Sequence, residues 1–221
     1  MYVLHHSPDS AALIVRLVLE ELGLPYRVRP IDRAGGELAS PAYRAMQPLG
    51  LIPVLETPDG LMFETGAILL YLCEKHGALA PAPGTPGRAR YLTWFIFTNH
   101  NLHPALLQLF YPERIAGPAA ADATVTHARD RLVGALGHID AMIAAEAPAW
   151  LSPDAPSALG YYLGVLARWL GTFGPDHPAY IDRAHLTHLL PVLAALESRP
   201  AARRAAEAEA LGQTIFTAPD Y

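Results

Sequence analysis

Cysteine and lysine are almost missing from this sequence, which has one of each, Cys73 and Lys75, in 221 residues. A lone cysteine rules out an intrachain disulfide, a cysteine-rich zinc site and a paired-cysteine redox motif. Positive charge is also sparse: 16 basic residues lie scattered along the chain, and the net charge is −5. That distribution gives no basis for a nucleic-acid partner or a polybasic membrane patch. No apolar run reaches the ~18 residues of a membrane span before a charge or proline breaks it. The first residues lack a basic stretch followed by an apolar one, so no signal peptide is expected and a cytoplasmic location fits. What is plentiful is apolar side chain, at 52% against 17% charged. A chain of this composition can bury a sizeable core and is not disordered.

The first 76 residues alternate strand and helix signals. Residues 2–6 read as a strand, and Ser7-Pro8-Asp9-Ser10 as turn and cap chemistry. Leu13, Val15, Leu17, Val18, Leu19 and Leu22, set among Arg16, Glu20 and Glu21, predict a helix closed by Gly23. A strand over 26–31 and a short helix over 40–46 follow. Residues 52–56 and 61–63 flank Thr57-Pro58-Asp59-Gly60, a hairpin signal. A helix over 65–76 carries Ile68, Leu69 and Leu72 on one side. Residues 77–87 are rich in proline and glycine and mark a boundary. Beyond them strand signals stop, and helices are predicted over 88–116, 121–147, 157–173, 178–196 and 200–210. The expected fold class is an α/β domain over 1–78, then an all-α domain over 88–221.

Two segments carry chemistry. In Gln47-Pro48-Leu49-Gly50-Leu51-Ile52-Pro53-Val54, a proline at the head of a strand, after a glycine turn, suits a cis bond. Such a bond turns the Ile52 N–H and C=O outward, free to pair with an extended peptide. In Phe63-Glu64-Thr65-Gly66, an acid and a hydroxyl sit where a strand turns into a helix. The amides there are unpaired, and the helix dipole favours an anion. Together the segments could hold a small peptide at its backbone and at one carboxylate. Taken singly, they read equally as a core strand beside a rigid turn and as a helix cap.

With these motifs the sequence resembles the cytosolic, bacterial-type glutathione S-transferase family over its whole length. In that family the first motif runs approximately Asn-Pro-x-Gly-x-Val-Pro-x-Leu, and the second Glu-Ser followed by Ala-Ile. Here Gln47 stands for Asn and Thr65 for Ser. Leu51 stands where many members have a Lys that could hold the glycyl carboxylate, so another group must serve here. The resemblance implies a thioredoxin-like domain followed by an all-helical one. It also implies glutathione as co-substrate, a small apolar electrophile as acceptor, and a homodimer. It places Ser7, Gln47, Ile52, Pro53, Glu64 and Thr65 at the peptide site, Ile52 binding the cysteinyl backbone, and Glu64 and Thr65 the γ-glutamyl end.

The thiolate is the nucleophile in this chemistry, and it needs a donor near the first helix. Family patterns bring Asp9, Ser10 and Ala11 to that point. Ser10 is the only hydroxyl of the three; Ser7 and the backbone amides are the alternatives, and Ser10 or Asp9 could equally be the helix cap. The beta class has a cysteine where Ala11 stands, so no mixed disulfide can form there, and Cys73 belongs to an apolar helix. Leu102-His103 resembles the Leu-His pair of the beta class. His103 is then a second donor or lines the acceptor site, or else it is a satisfied residue on a polar helix face. Pro104 is expected to kink its helix. Phe110, Tyr111 and Trp94 either line an acceptor pocket or serve as core and dimer contacts. At the start of the predicted 157–173 helix, Gly160 occupies the acidic position of a capping box begun by Ser157. His5 and His6 point to opposite faces of a strand, so no metal site follows. The expected reaction is conjugation of glutathione to an electrophile. The rivals are a glutathione-dependent disulfide reductase or peroxidase, and a non-catalytic ligand carrier of the same fold.

Overall fold

The alternation of short apolar runs and amphipathic stretches in the first third of the chain becomes a mixed sheet flanked by helices. A computed structural model describes residues 1–221. Strand β1 (Tyr2–His6), helix α1 (Ala12–Glu21) and strand β2 (Tyr26–Pro30) form a parallel crossover unit. Helix α2 (Pro41–Arg44) leads to a hairpin of β3 (Val54–Thr57) and β4 (Gly60–Phe63), followed by α3 (Thr65–His76). The sheet order is β2-β1-β3-β4, with β3 antiparallel to both neighbours. This is the thioredoxin-like arrangement. Ser40 caps α2, its hydroxyl accepting from the Tyr43 amide at 3.1 Å. Tyr43 then buries against Ile31 and Val54.

All later elements are helical: α4 (Arg88–Phe97), α5 (His103–Phe110), α6 (Pro112–Ala116), α7 (Ala121–Glu146), α8 (Ala158–Leu170), α9 (Leu189–Glu197) and α10 (Pro200–Glu209). None is long and apolar enough to cross a membrane. Helix α1 is buried almost all round because it packs on the sheet, on α3, and on α8 and α10. One hydrophobic core therefore runs through both parts of the chain. Its polar inclusion, Arg16, donates from Nε to the Glu209 carboxylate at 2.8 Å.

The structure corrects two helices. The predicted 88–116 helix is three helices, and proline is the reason. Pro104 has no N–H to give the His100 carbonyl, and the turn before it, Thr98–Leu102, opens into π-helical geometry. Pro112 then excludes helical geometry at Tyr111, whose φ and ψ are −132° and 49°. The predicted 178–196 helix starts only at Leu189. Upstream, the Asp182 carboxylate accepts from the Ala184 amide at 2.9 Å, a local turn that competes with helix. Asp140 on α7 accepts the His188 and Leu189 amides at 2.8 Å each and so caps α9 from a distance.

The capping-box departure also has a physical account. The Ser157 hydroxyl accepts from the Gly160 amide at 2.9 Å, so the cap itself is intact. A β-carbon on Gly160 would lie 2.7 Å from Leu196 Cδ1. Close packing of α9 on α8 occupies the place of the acidic side chain.

Candidate functional site

A cavity of about 820 Å³ opens where the sheet domain meets the helical one. On the sheet side, the Ile52–Pro53 bond is cis, and the Ile52 N–H and C=O have no hydrogen-bond partner within the chain. The loop before it is fixed by two contacts. Gln47 is buried and its Oε1 accepts from the Leu51 amide at 3.0 Å; the Tyr43 hydroxyl donates to the Leu51 carbonyl at 2.9 Å. Gln47 therefore shapes the loop as well as lining the cavity.

At the start of α3, Glu64 adopts φ 68° and ψ 110°, which swings the chain from strand into helix. The first intrahelical bond is from the Ile68 amide to the Glu64 carbonyl at 3.0 Å, so the earlier amides are unpaired. Thr65 is nearly buried and lines the cavity beside Glu64. Gly66 lies at a close approach: a β-carbon there would lie 2.9 Å from Asn99 Nδ2.

The loop before α1 is tied to the helical domain. Asp9, at φ 47°, accepts from Arg168 Nε and Nη2 at 2.9 Å each and from Trp169 Nε1 at 3.0 Å. Its own amide donates to Glu209 at 2.9 Å. Ser10 follows, 8% exposed, lining the cavity. Its hydroxyl donates to the Ser7 carbonyl at 2.6 Å and accepts from the Ala12 amide at 3.3 Å, so it also serves the helix start. Ser7 itself does not line the cavity; it offers its carbonyl to Ser10.

His103 lines the facing wall, and its Nδ1 lies 2.7 Å from the Tyr162 hydroxyl. Burial holds its pKa down to about 4, so the ring is neutral. Burial also raises the Tyr162 hydroxyl above the usual tyrosine range, so it keeps its proton. With Asn99 oriented so that its amide donates to the Tyr162 oxygen at 3.0 Å, the phenol proton must go to His103 Nδ1. The imidazole proton then sits on Nε2, the remaining donor of this cavity-lining ring.

Phe110 and Tyr111 line the cavity, but Trp94 does not; its ring packs on Phe97 at 5.1 Å and under Arg90. Cys73 is buried, and burial pushes its thiol up to about 12, far from a reactive thiolate. Several lining residues have no sequence signal of their own: Arg33, Arg114, Trp169 and Tyr221. Asn99, also on the lining, belongs to the polar cluster before Pro104, a signal that could have found it. Arg33, Trp169 and Tyr221 reach the cavity by chain reversals with no local signature.

Residues 4–83 match the family model described as the glutathione S-transferase N-terminal domain. A relative named glutathione S-transferase GST-4.5, from Xanthomonas campestris, is 28% identical over 78% of this chain and 84% of its own. A sphingomonad glutathione S-transferase, solved in complex with glutathione, is 28% identical; the match covers 95% of this chain and all of that one, with TM-score 0.76. A ternary complex of BphK, a bacterial GST, matches at 26% identity and TM-score 0.78, again over 95% of this chain and 100% of that one.

Proposed function

As this chain belongs to the glutathione S-transferase family, by sequence across residues 4–83 and by fold over almost its whole length, we propose that it conjugates glutathione to a small electrophile. The observation that carries this is the pairing, in one cavity, of the free Ile52 backbone groups with the unpaired amides of α3 beside Glu64. Residues 1–78 are the glutathione-binding domain and 88–221 the acceptor domain. Ile52 pairs with the cysteinyl backbone, Glu64 takes the γ-glutamyl ammonium, and the α3 amides with Thr65 take its carboxylate. Arg33, lining the cavity with Gly50 and Leu51, supplies the cation for the glycyl carboxylate that Leu51 cannot.

The thiol loses its proton to solvent, and Ser10 and His103 Nε2–H donate to the thiolate that remains. Sulfur attacks the electrophilic carbon, a carbon–sulfur bond forms, and the leaving group departs with the bonding electron pair. His103 acts as a neutral donor rather than a cation. No protein thiol reaches the cavity, which favours conjugation over disulfide exchange by a protein cysteine. The active unit is a cytoplasmic homodimer that detoxifies electrophiles. The exposed Leu61 and Phe63 on edge strand β4 are apolar surface of the kind a second copy would cover.

The reading is tested by calorimetric titration with reduced glutathione of the wild type and Glu64→Ala. Saturable binding, weakened in the variant by roughly 1.5–3 kcal/mol for a lost charge-assisted contact, is expected. A wild type that binds no glutathione overturns it and leaves a ligand carrier of the same fold.

A further inference from the structure

Once the tripeptide is seated, one charged side chain of the cavity lining is left with no assigned partner, and that side chain carries information about the acceptor. Four lining residues are formally charged: Asp9, Arg33, Glu64 and Arg114. Asp9 is already answered by Arg168 at 2.9 Å, outside the cavity wall. Neither Arg33 nor Arg114 stands in any of the ion pairs of the chain. Glutathione brings one ammonium and two carboxylates besides its thiolate. Glu64 answers the ammonium, the start of α3 one carboxylate and Arg33 the other. Arg114 is left over, on the far wall.

The part of that wall around Arg114 is largely apolar. Leu107, Tyr111 and Ile115 line it at a spacing of four residues across α5 and α6, and they are 42%, 43% and 50% exposed. Phe110 and Arg114 form the adjoining row, also four apart. Large side chains left this open, at the mouth of a cavity, are placed to meet an apolar ligand. A single unpaired guanidinium beside them suits a carboxylate or another planar anion on that ligand. The neighbouring Glu113 does not line the cavity and offers no competing carboxylate there.

We infer that the acceptor is an amphipathic anion: an aromatic or alkyl electrophile bearing a carboxylate-like group that Arg114 binds while Leu107, Phe110, Tyr111 and Ile115 cover its apolar body. This rests on the transferase reading above, so the test separates the two. Turnover of 4-chloro-3-nitrobenzoate is compared with that of the uncharged 4-chloro-3-nitrobenzamide, each divided by its rate with free glutathione in solution. In both, sulfur displaces chloride at the same ring carbon, and chloride leaves with the electron pair. The normalised acid-to-amide ratio of kcat/KM should favour the acid in the wild type and fall about tenfold in Arg114→Gln. Arg114→Lys should retain part of it, and added salt should lower the ratio in the wild type.

Alongside, the unreactive 3-nitrobenzoate is titrated calorimetrically into each protein, with and without glutathione. Binding that weakens in Arg114→Gln supports the anion site at Arg114 even if neither aryl chloride turns over, in which case it is conjugation to these acceptors that fails and not the site. An acid-to-amide ratio equal in wild type and Arg114→Gln overturns the inference while leaving transferase activity intact. So does 3-nitrobenzoate binding that is absent, or the same in both proteins.

Discussion

Ser10 and His103 show how one side chain can serve both structure and chemistry. The Ser10 hydroxyl gives its proton to the Ser7 carbonyl and accepts a long bond, 3.3 Å, from Ala12. To donate to a thiolate it must turn away from Ser7. That exchanges a neutral hydrogen bond for a charge-assisted one, which is the stronger of the two. Ser10→Ala is therefore expected to raise the pKa of bound glutathione by about one unit, read from thiolate absorbance. No rise would move the role to the backbone amides of α1 and to His103. Tyr162 acts through His103 by fixing which nitrogen holds the proton. Tyr162→Phe should lower kcat about five- to tenfold with little change in the dissociation constant of glutathione. In a His103→Gln background the same change should cost nothing further, because the two residues act as a unit. An additional loss there would mark Tyr162 as merely structural.

Helix α1 depends on partners far away in sequence. The Asp9 loop at its start is held by Arg168 and Trp169 of α8 and by Glu209 of α10. Arg168 is 2% exposed, so its guanidinium cannot turn to water if Asp9 loses its charge. Asp9→Asn should cost about 3 kcal/mol in urea unfolding, through a lower midpoint at constant slope. An unchanged midpoint would mean that the Tyr221 ring, 4.9 Å from the guanidinium carbon, compensates it. The same elements show what can be read locally. β1 and α3 run over the residues predicted for them, because a short apolar run and a helix closed by Gly77 are short-range signals. The break between α5 and α6 was harder to see, since it hinges on one residue before a proline inside a continuous apolar pattern.

For the molecule as a whole, the shared core implies that both domains unfold together, and that buried histidines make the protein sensitive to acid. His103 is held down to about 4, and burial and Arg16 also lower His6. The unfolded chain takes up protons at about pH 6.5 while the native one resists them. The stability that these neutral rings contribute is complete above that pH and is lost as pH falls towards 4. Between pH 7 and pH 5, His103 alone should account for a loss of about 2 kcal/mol. Glu209, whose carboxyl burial pushes up, acts in the opposite sense, so the comparison with His103→Gln is the informative one. The variant should show a flatter dependence of urea midpoint on pH. Equal slopes would mean that His103 is protonated without unfolding.

The sequence by itself specified the strand–helix alternation, the end of α3 before Gly77, the cis Pro53 loop and the Glu64-Thr65 turn. Each is set by neighbours a few residues apart, through periodicity, proline geometry and unpaired amides. Other features came only with the folded chain: the clamp on Asp9, the direction of the His103 proton, and the arrival of Arg33, Arg114 and Tyr221 at one cavity. The Asp9–Arg168 contact joins residues 159 apart, and His103–Tyr162 residues 59 apart. No local pattern marks such a pair. Each partner looks like an ordinary polar residue until packing removes water and leaves the two facing one another.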